Sequence, residues 1–278
     1  MGELSVERIF CLSMDKDMYR RDLMLSSFPL LKDRIEFIPG LDGNQSPVTP
    51  PSWTSNLNTH EKYDDSTRCS VSVLNHNLSD KELACVLGHM NIWKIISELN
   101  GNQPCLICED DIHPKDEASF IDKTNEIISE MAAPEIVYLG FSSFQDQKQR
   151  SILFTAMQIA WHWCKQKRFS GTLQSIVSYN LVRKASPRIT FNKRHVLHAG
   201  QHWGAFCYLV TPDSARQLLA LNANLKMTSD GTLRYANLSQ AIPLYISKTS
   251  LVRVNSELGS NIRTQEEHDS NFSKFKIT

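Results

Sequence analysis

Pro104-Cys-Leu-Ile-Cys-Glu-Asp-Asp111 is the stretch from which the rest of the chain is read. Five residues without charge are followed at once by three carboxylates. A continuous apolar run of this length suits a strand covered on both faces. Carboxylates where such a strand ends mark a candidate site.

Working outward, Leu78-Ser-Asp-Lys-Glu82 precedes the strand and carries a helix start: Ser79 can cap, and Glu82, three residues on, can bond back to it. The helix is expected to run to about Asn100, with Gly101 stopping it. On it Cys85, His89 and Trp93 follow one another at i, i+4 and i+8 and so share one stripe. Beyond the acidic triplet, a helix from about Asp116 to Met131, a strand at Ile136–Leu139 and a helix within 151–166 continue the alternation. Toward the N-terminus, Arg8–Ser13 is strand-length. Met18–Phe28 patterns as a half-buried helix, and a second short strand, Glu36–Pro39, ends at Gly40-Leu-Asp-Gly43. Toward the C-terminus, Ala205–Val210 reads as a buried strand, Thr211-Pro212 as the cap and first residue of a helix to about Leu221, Thr228-Ser-Asp230 as a polar turn, and Leu244–Ser247 as a strand. Strand and helix in alternation predict an α/β sheet with helices on both faces. One domain over 1–262 is expected, with 44–77 as a loop or insertion, 140–200 as a variable region and 263–278 as a polar tail.

The composition narrows the function classes. The 278 residues are 41% hydrophobic and 22% charged, with 30 Lys and Arg against 30 Asp and Glu. That is enough apolar matter for a core, and it lacks the excess of positive charge that would neutralise many phosphates, so nucleic acid is not an expected partner. The start, with Glu3 and Glu7 before a short apolar run, lacks the basic-then-apolar plan of a secretory leader. Ser151–Cys164 is too short and too polar to span a bilayer. A cytoplasmic protein is expected, with at most peripheral membrane contact. Seven scattered cysteines fit a reducing compartment, and four Asn-x-Ser sequons, at Asn44, Asn77, Asn237 and Asn271, carry no meaning without secretion.

Along an extended chain Glu109 and Asp111 face one side and Asp110 the other. Such a pair can hold a divalent ion through oxygen, leaving room for water and a diphosphate; the alternative is a solvated acidic turn. Cys105 and Cys108 have C-x-x-C spacing, but on a strand they point to opposite faces and no second pair completes a tetrahedral site, so both are expected in the core. His195, His198 and His202 do not have the H-E-x-x-H spacing and are expected as loop or supporting residues. No G-x-G-x-x-G, G-x-x-x-x-G-K-[ST] or G-x-S-x-G occurs.

In their order, these segments resemble glycosyltransferase family 25. Ile9-Phe-Cys-Leu-Ser-Met-Asp15 with Tyr19-Arg-Arg21 resembles the family's opening strand and trailing D-R-R, and Phe37–Gly43 its F-x-A-x-D-G. Leu78–His89 with Trp93 is similar to L-[ST]-x-x-E-x-G-C-x-L-S-H-x-x-x-W, and Leu106–Asp111 to I-L-E-D-D; this pair is the most specific part of the match. Gly204–Leu219 resembles a further segment, and Ser229-Asp230 falls where the family has P-V-D. The chain departs from the pattern at Ala84, Gly88, Ser13 and Ser260-Asn261-Ile262, and 140–200 matches poorly.

The resemblance implies a GT-A type, Rossmann-like fold with a mostly parallel central sheet. It also implies inverting transfer of a hexose, most often galactose, from a UDP-sugar to a saccharide or glycolipid acceptor, for which a lipopolysaccharide or lipooligosaccharide core sugar is the preferred choice. With it come roles: Asp111 on a divalent ion, preferably Mn²⁺; Glu109 on the ion, its water or the donor ribose; Asp230 as base, with a capping or turn-forming role as the alternative. Asp15, Arg20, Arg21 and Asp110 are implied donor contacts, with one arginine expected in solvent. His89 is implied to order the acidic loop, or else to pack on its helix. A non-catalytic nucleotide-sugar or carbohydrate binding protein on the same fold, and a metal-dependent phosphohydrolase, are the competing readings.

Overall fold

The computed structural model describes residues 2–45, 47–57, 78–143, 188–189, 192–199, 202–239, 241–255 and 258. The strands are β1 (Ile9–Ser13), β2 (Ile35–Pro39), β3 (Cys105–Glu109), β4 (Ile112–Pro114), β5 (Ile136–Ser143), β6 (Arg188–Ile189), β7 (Val196–His198), β8 (His202–Val210), β9 (Leu244–Ser247) and β10 (Val252–Val254). The α-helices are α1 (Met18–Ser27), α2 (Asp80–Ser97), α3 (Glu117–Ser129), α4 (Pro212–Leu221) and α5 (Ser229–Leu238). Among the described residues, eight strands form one sheet in the order β2-β1-β3-β8-β5-β9-β7-β6. From the pairings, β2, β1, β3, β5, β9 and β6 run one way, while β8 and β7 run the other. The expected α/β sheet of mostly co-directional strands is therefore present, with β8 reversed near its middle.

Helices cover both faces. Phe10, Cys105, Ile107, Tyr208 and Val210 pack in one apolar layer with Val86, Met90, Trp93 of α2, Leu218 of α4 and Leu233 of α5. Ile9, Cys11, Leu106, Cys108 and Leu209 point the other way, onto Met24 of α1 and Phe120, Ile121 and Ile127 of α3. Alternate residues of β1 and β3 thus feed opposite layers, as the period of two requires. Cys105 and Cys108 fall in different layers, both buried. Burial pushes the Cys105 thiol up to about 12, so it stays protonated.

Local rules set the helix starts. Ser79 accepts from the Glu82 N–H at 3.3 Å and the Glu82 carboxylate accepts from the Ser79 N–H at 3.0 Å, completing the capping box. Thr211 caps α4 with Pro212 at its first position. The α2 helix ends at Ser97 rather than Asn100, because Glu98 and Leu99 close the last turn before Gly101 at φ +98°. Thr228-Ser-Asp230 is not a free turn: Thr228 Oγ1 accepts from the Gly231 N–H at 3.0 Å, so Thr228 is a cap and Asp230 lies in the first turn of α5. The loop expected over 44–77 holds a 3₁₀ turn at Ser52–Asn56; its later part, the helix expected within 151–166 and the tail lie outside the described residues.

Two glycines make room where β5 and β8 shift register. Gly204 has φ +95°, and a Cβ there would stand 2.2 Å from the Phe206 ring; at Gly140 a Cβ would meet Val252 Cγ2 at 2.4 Å. Gly204→Ala is expected to destabilise the protein by at least about 2 kcal/mol, through both the strained backbone and the clash. A urea melt reads this as a lower midpoint at unchanged slope. No helix of the described residues is long and apolar enough to cross a membrane.

Candidate active site

The proposed carboxylates gather where β1 and β3 end. Leu12 pairs with Glu109, so Ser13 to Asp15 and Glu109 to Asp111 leave the sheet side by side at its carboxyl edge, where α/β folds bind ligands. The reversed β8 brings its own beginning to the same edge, since Cys207 pairs with Cys108 and Gly204-Ala205 lie beyond. The acidic turn is held from outside by the small sheet of β4 and β10: Ile112 pairs with Val254, and the Asn255 N–H donates to the Asp111 carbonyl at 2.6 Å.

Arg20 is the cation of this turn. Its Nε and Nη2 each lie 2.7 Å from Asp110 Oδ1, and Nη2 lies 3.2 Å from Asp111 Oδ2. Burial opposes the charge on Arg20, but Asp110 and Asp111 overcome it and raise its pKa. Asp110 and Asp111 therefore share one guanidinium instead of facing opposite sides, because the strand ends at Glu109 and alternation ends with it.

Arg21 is held elsewhere. It donates to Ser13 Oγ at 3.1 Å, Ser13 O at 3.2 Å and Asp15 Oδ1 at 2.9 Å, and its guanidinium lies 5.1 Å from the Phe37 ring centre. Neither arginine is left in solvent, contrary to expectation. The carboxylate of Asp15 is 79% exposed and open to a ligand.

On the other side of the turn, His89 bridges to Glu109. Its Nε2 lies 3.2 Å from Glu109 Oε1, and its Nδ1 lies 2.9 Å from Tyr208 Oη, which also accepts from Trp93 Nε1 at 2.9 Å. The indole can only donate, so the Tyr208 hydroxyl is free to donate to His89 Nδ1, and the ring N–H sits on Nε2, aimed at Glu109. His89 thus links the acidic turn, at Glu109, to the buried Tyr208. The sequence placed His89 and Trp93 on one stripe and Tyr208 in a buried strand within a segment resembling the family, but gave no sign that the three side chains meet. Tyr208→Phe strips a buried partner from both rings and is expected to cost at least about 2 kcal/mol in stability, measurable by chemical denaturation.

Asp230 enters from the start of α5. Its Oδ1 is buried and has no hydrogen-bond partner, while the N–H groups of Gly204 and Ala205 face the carboxylate. Burial first, and then the charge of Glu109, raise its pKa. Two further buried residues missed by sequence reading lie within electrostatic reach, Tyr138 and Arg234. Arg234 is one turn beyond Asp230 on α5, a spacing that would have flagged it once the helix was recognised.

The electrostatics leave the site short of positive charge. Asp111 is buried at its Oδ1, without a hydrogen bond, and burial, followed by repulsion from Glu109, raises its carboxyl to about 7. Burial also raises Asp110, opposed by Ser13 and Arg20. A divalent ion fits this donor set: Asp111 offers an unused oxygen of the right hardness, and Glu109 a second carboxylate. Of the three histidines expected as loop or supporting residues, His195 lies beside Glu126 and Glu130, and His198 is stacked on Tyr245 at 4.7 Å between ring centres. The side chain of His202 lies outside the described residues.

These segments are matched in known proteins. A glycosyltransferase 25 family member of Anopheles gambiae is 26% identical over 157 residues, 54% of this chain; the match spans 24% of that relative's length. The profile of the family described as glycosyltransferase family 25 (LPS biosynthesis protein) covers residues 6–233, and so takes in β1, the capped α2, the acidic turn, β8 and Asp230 together. On that coverage, the chain belongs to glycosyltransferase family 25.

Proposed function

We propose that the protein is an inverting hexosyltransferase that moves galactose from UDP-galactose to a saccharide acceptor, a lipopolysaccharide or lipooligosaccharide core sugar being the preferred one. The observation that carries this is the convergence of Asp111, Glu109 and Asp230 at one carboxyl edge, with a buried unused oxygen on both aspartates. Asp111, with Glu109 directly or through water, would hold a divalent ion, Mn²⁺ by preference. Such an ion supplies positive charge opposite the diphosphate as the sugar leaves.

The chain's own groups do the rest. Arg20 keeps Asp110 and Asp111 in place, and the exposed Asp15 beside Arg21 is available to donor hydroxyls. His89 fixes the direction of Glu109 through its Nε2–H. Asp230 takes the proton of the acceptor hydroxyl as it attacks the anomeric carbon from the face opposite UDP. Its raised pKa makes it a stronger base than a free carboxylate once ionised. A cytoplasmic setting at the inner face of the membrane would give access to a lipid-borne acceptor without any span.

The test is UDP release from a panel of UDP-sugars, with Mn²⁺ and with EDTA, in the presence of core oligosaccharide acceptors. Turnover of one donor, lost in EDTA and restored by Mn²⁺, is the expected result. Turnover unaffected by EDTA would remove the metal from this reading.

A further inference from the structure

Cys85 takes no part in the transfer just described, yet it stands beside two groups that do. Its Sγ, a ring nitrogen of His89 and a carboxylate oxygen of Glu109 all lie within 4.8 Å of one another. The nitrogen and oxygen are already at 3.2 Å. Around a tetrahedral ion with bonds of ~2.3 Å to sulfur and ~2.0–2.2 Å to nitrogen and oxygen, ligand atoms stand roughly 3.3–3.6 Å apart. Only the cysteine has to move, and its present contact, Ser229 Oγ at 3.9 Å, is weak.

Three further features suit an ion. His89 is wholly buried and backed on Nδ1 by Tyr208, the kind of partner that holds a metal-bound imidazole in orientation. Cys85 and Glu109 are partly exposed, which gives a way in. Asp230 and Asp111 both act electrostatically on Cys85 and would favour a cation there.

We propose that Cys85, His89 and Glu109 form a second cation site, separate from the Asp111 carboxylate, that takes a thiophilic divalent ion such as Zn²⁺ and leaves a fourth position for water. The sulfur and imidazole select Zn²⁺ or Co²⁺ over Mn²⁺ and Mg²⁺, which prefer the all-oxygen donors of Asp111. On binding, the Sγ–H bond is broken, the Sγ–metal bond forms and the thiol proton goes to solvent. The imidazole stays neutral, its N–H passing from Nε2 to Nδ1, where Tyr208 Oη accepts it. An ion seated here draws on Glu109, so it inhibits sugar transfer; that consequence rests on the proposed function, whereas binding itself does not.

The experiment is titration of the metal-free full chain with Co²⁺, followed by absorption. One equivalent is expected to give the visible bands of tetrahedral cobalt together with a thiolate-to-cobalt charge-transfer band in the near ultraviolet. Cys85→Ser is expected to lose the charge-transfer band, and Asp111→Asn to keep it. Absence of that band at one equivalent in the wild type overturns the site, as does a band of equal strength in Cys85→Ser, which would place the ion on another thiol. In the transfer assay, Zn²⁺ is expected to lower wild-type UDP release at least tenfold more than it lowers that of Cys85→Ser. Equal inhibition of the two overturns the inhibitory role. A chain with no transfer activity at all would sink the proposed function while the spectra still decide the site.

Discussion

Asp111→Asn is expected to lower metal-dependent UDP release by about 10³-fold or more while making the metal-free protein more stable at pH 8. The loss follows from charge: a bound divalent ion contributes several kcal/mol to the leaving diphosphate, and ~4 kcal/mol is about three powers of ten in rate. The gain follows from burial. Asp111 titrates near 7 in the folded chain, against the ordinary carboxylate value when unfolded, because it is desolvated and faces Glu109. A folded pKa raised above the unfolded one means that the native state holds the extra proton between the two values. Stability is then full below the unfolded pKa and falls as pH rises toward and through 7. Asparagine resembles the neutral carboxyl and cannot ionise, so it escapes that fall. Melting temperatures in EDTA should show the variant ahead of wild type at pH 8, with the gap closing toward pH 5. A variant that is both inactive and less stable at pH 8 would mean that the substitution had damaged the turn, and the metal assignment would lose its support.

Much of this arrangement could be read from the residues, and the parts that could not have identifiable causes. Ser79 and Glu82 announced α2 because a capping box is a local contract between two side chains and two N–H groups, independent of tertiary context. The opposite facing of Cys105 and Cys108 followed from strand geometry alone. The choice between Arg20 and Arg21 was also legible in principle. Arg20, Met24 and Phe28 are spaced i, i+4, i+8 and all are buried, so Arg20 rides the apolar stripe of α1 into the site while Arg21 turns aside to Phe37.

Less legible were features fixed by distant partners. The reversal of β8 leaves no mark on a buried strand, since an apolar run reads the same in either direction. The three-residue strands β4 and β10 are too short for any periodicity, yet their pairing holds the backbone right after Asp111. Ser229-Asp-Gly231 has the composition of a turn, and the helix prevails because Thr228 caps it and Leu233 and Ala236 are buried against the core. The convergence of Asp230 with Glu109 depends on that helix, and the position of Asp230 along the chain could not disclose it.

Asp230→Asn is expected to retain UDP-sugar binding and to lower kcat by about 10²–10⁴-fold, the usual share of a positioned general base. Donor binding should survive because the groups proposed for it, Asp15, Arg21 and the turn at Asp111, come from other elements, and because the Gly204 and Ala205 N–H groups can donate to an amide oxygen as they do to the carboxylate. What the amide lacks is a lone pair basic enough to take the acceptor proton. The pH profile separates this from a merely structural role. In the wild type, kcat/KM should rise with pH until Asp230 is ionised, at a pKa above the ordinary carboxylate value because burial and Glu109 raise it. Asp111, also raised, contributes to the same limb, so the limb's removal, not its midpoint, is the diagnostic quantity. In Asp230→Asn the residual rate should lose one proton's worth of that dependence while the donor KM stays within about twofold, the behaviour of an interaction made only in the transition state. A variant whose kcat is unchanged would return Asp230 to the first turn of α5 as a structural carboxylate, and the proton would then have to go to Glu109, the other carboxylate that His89 holds in place.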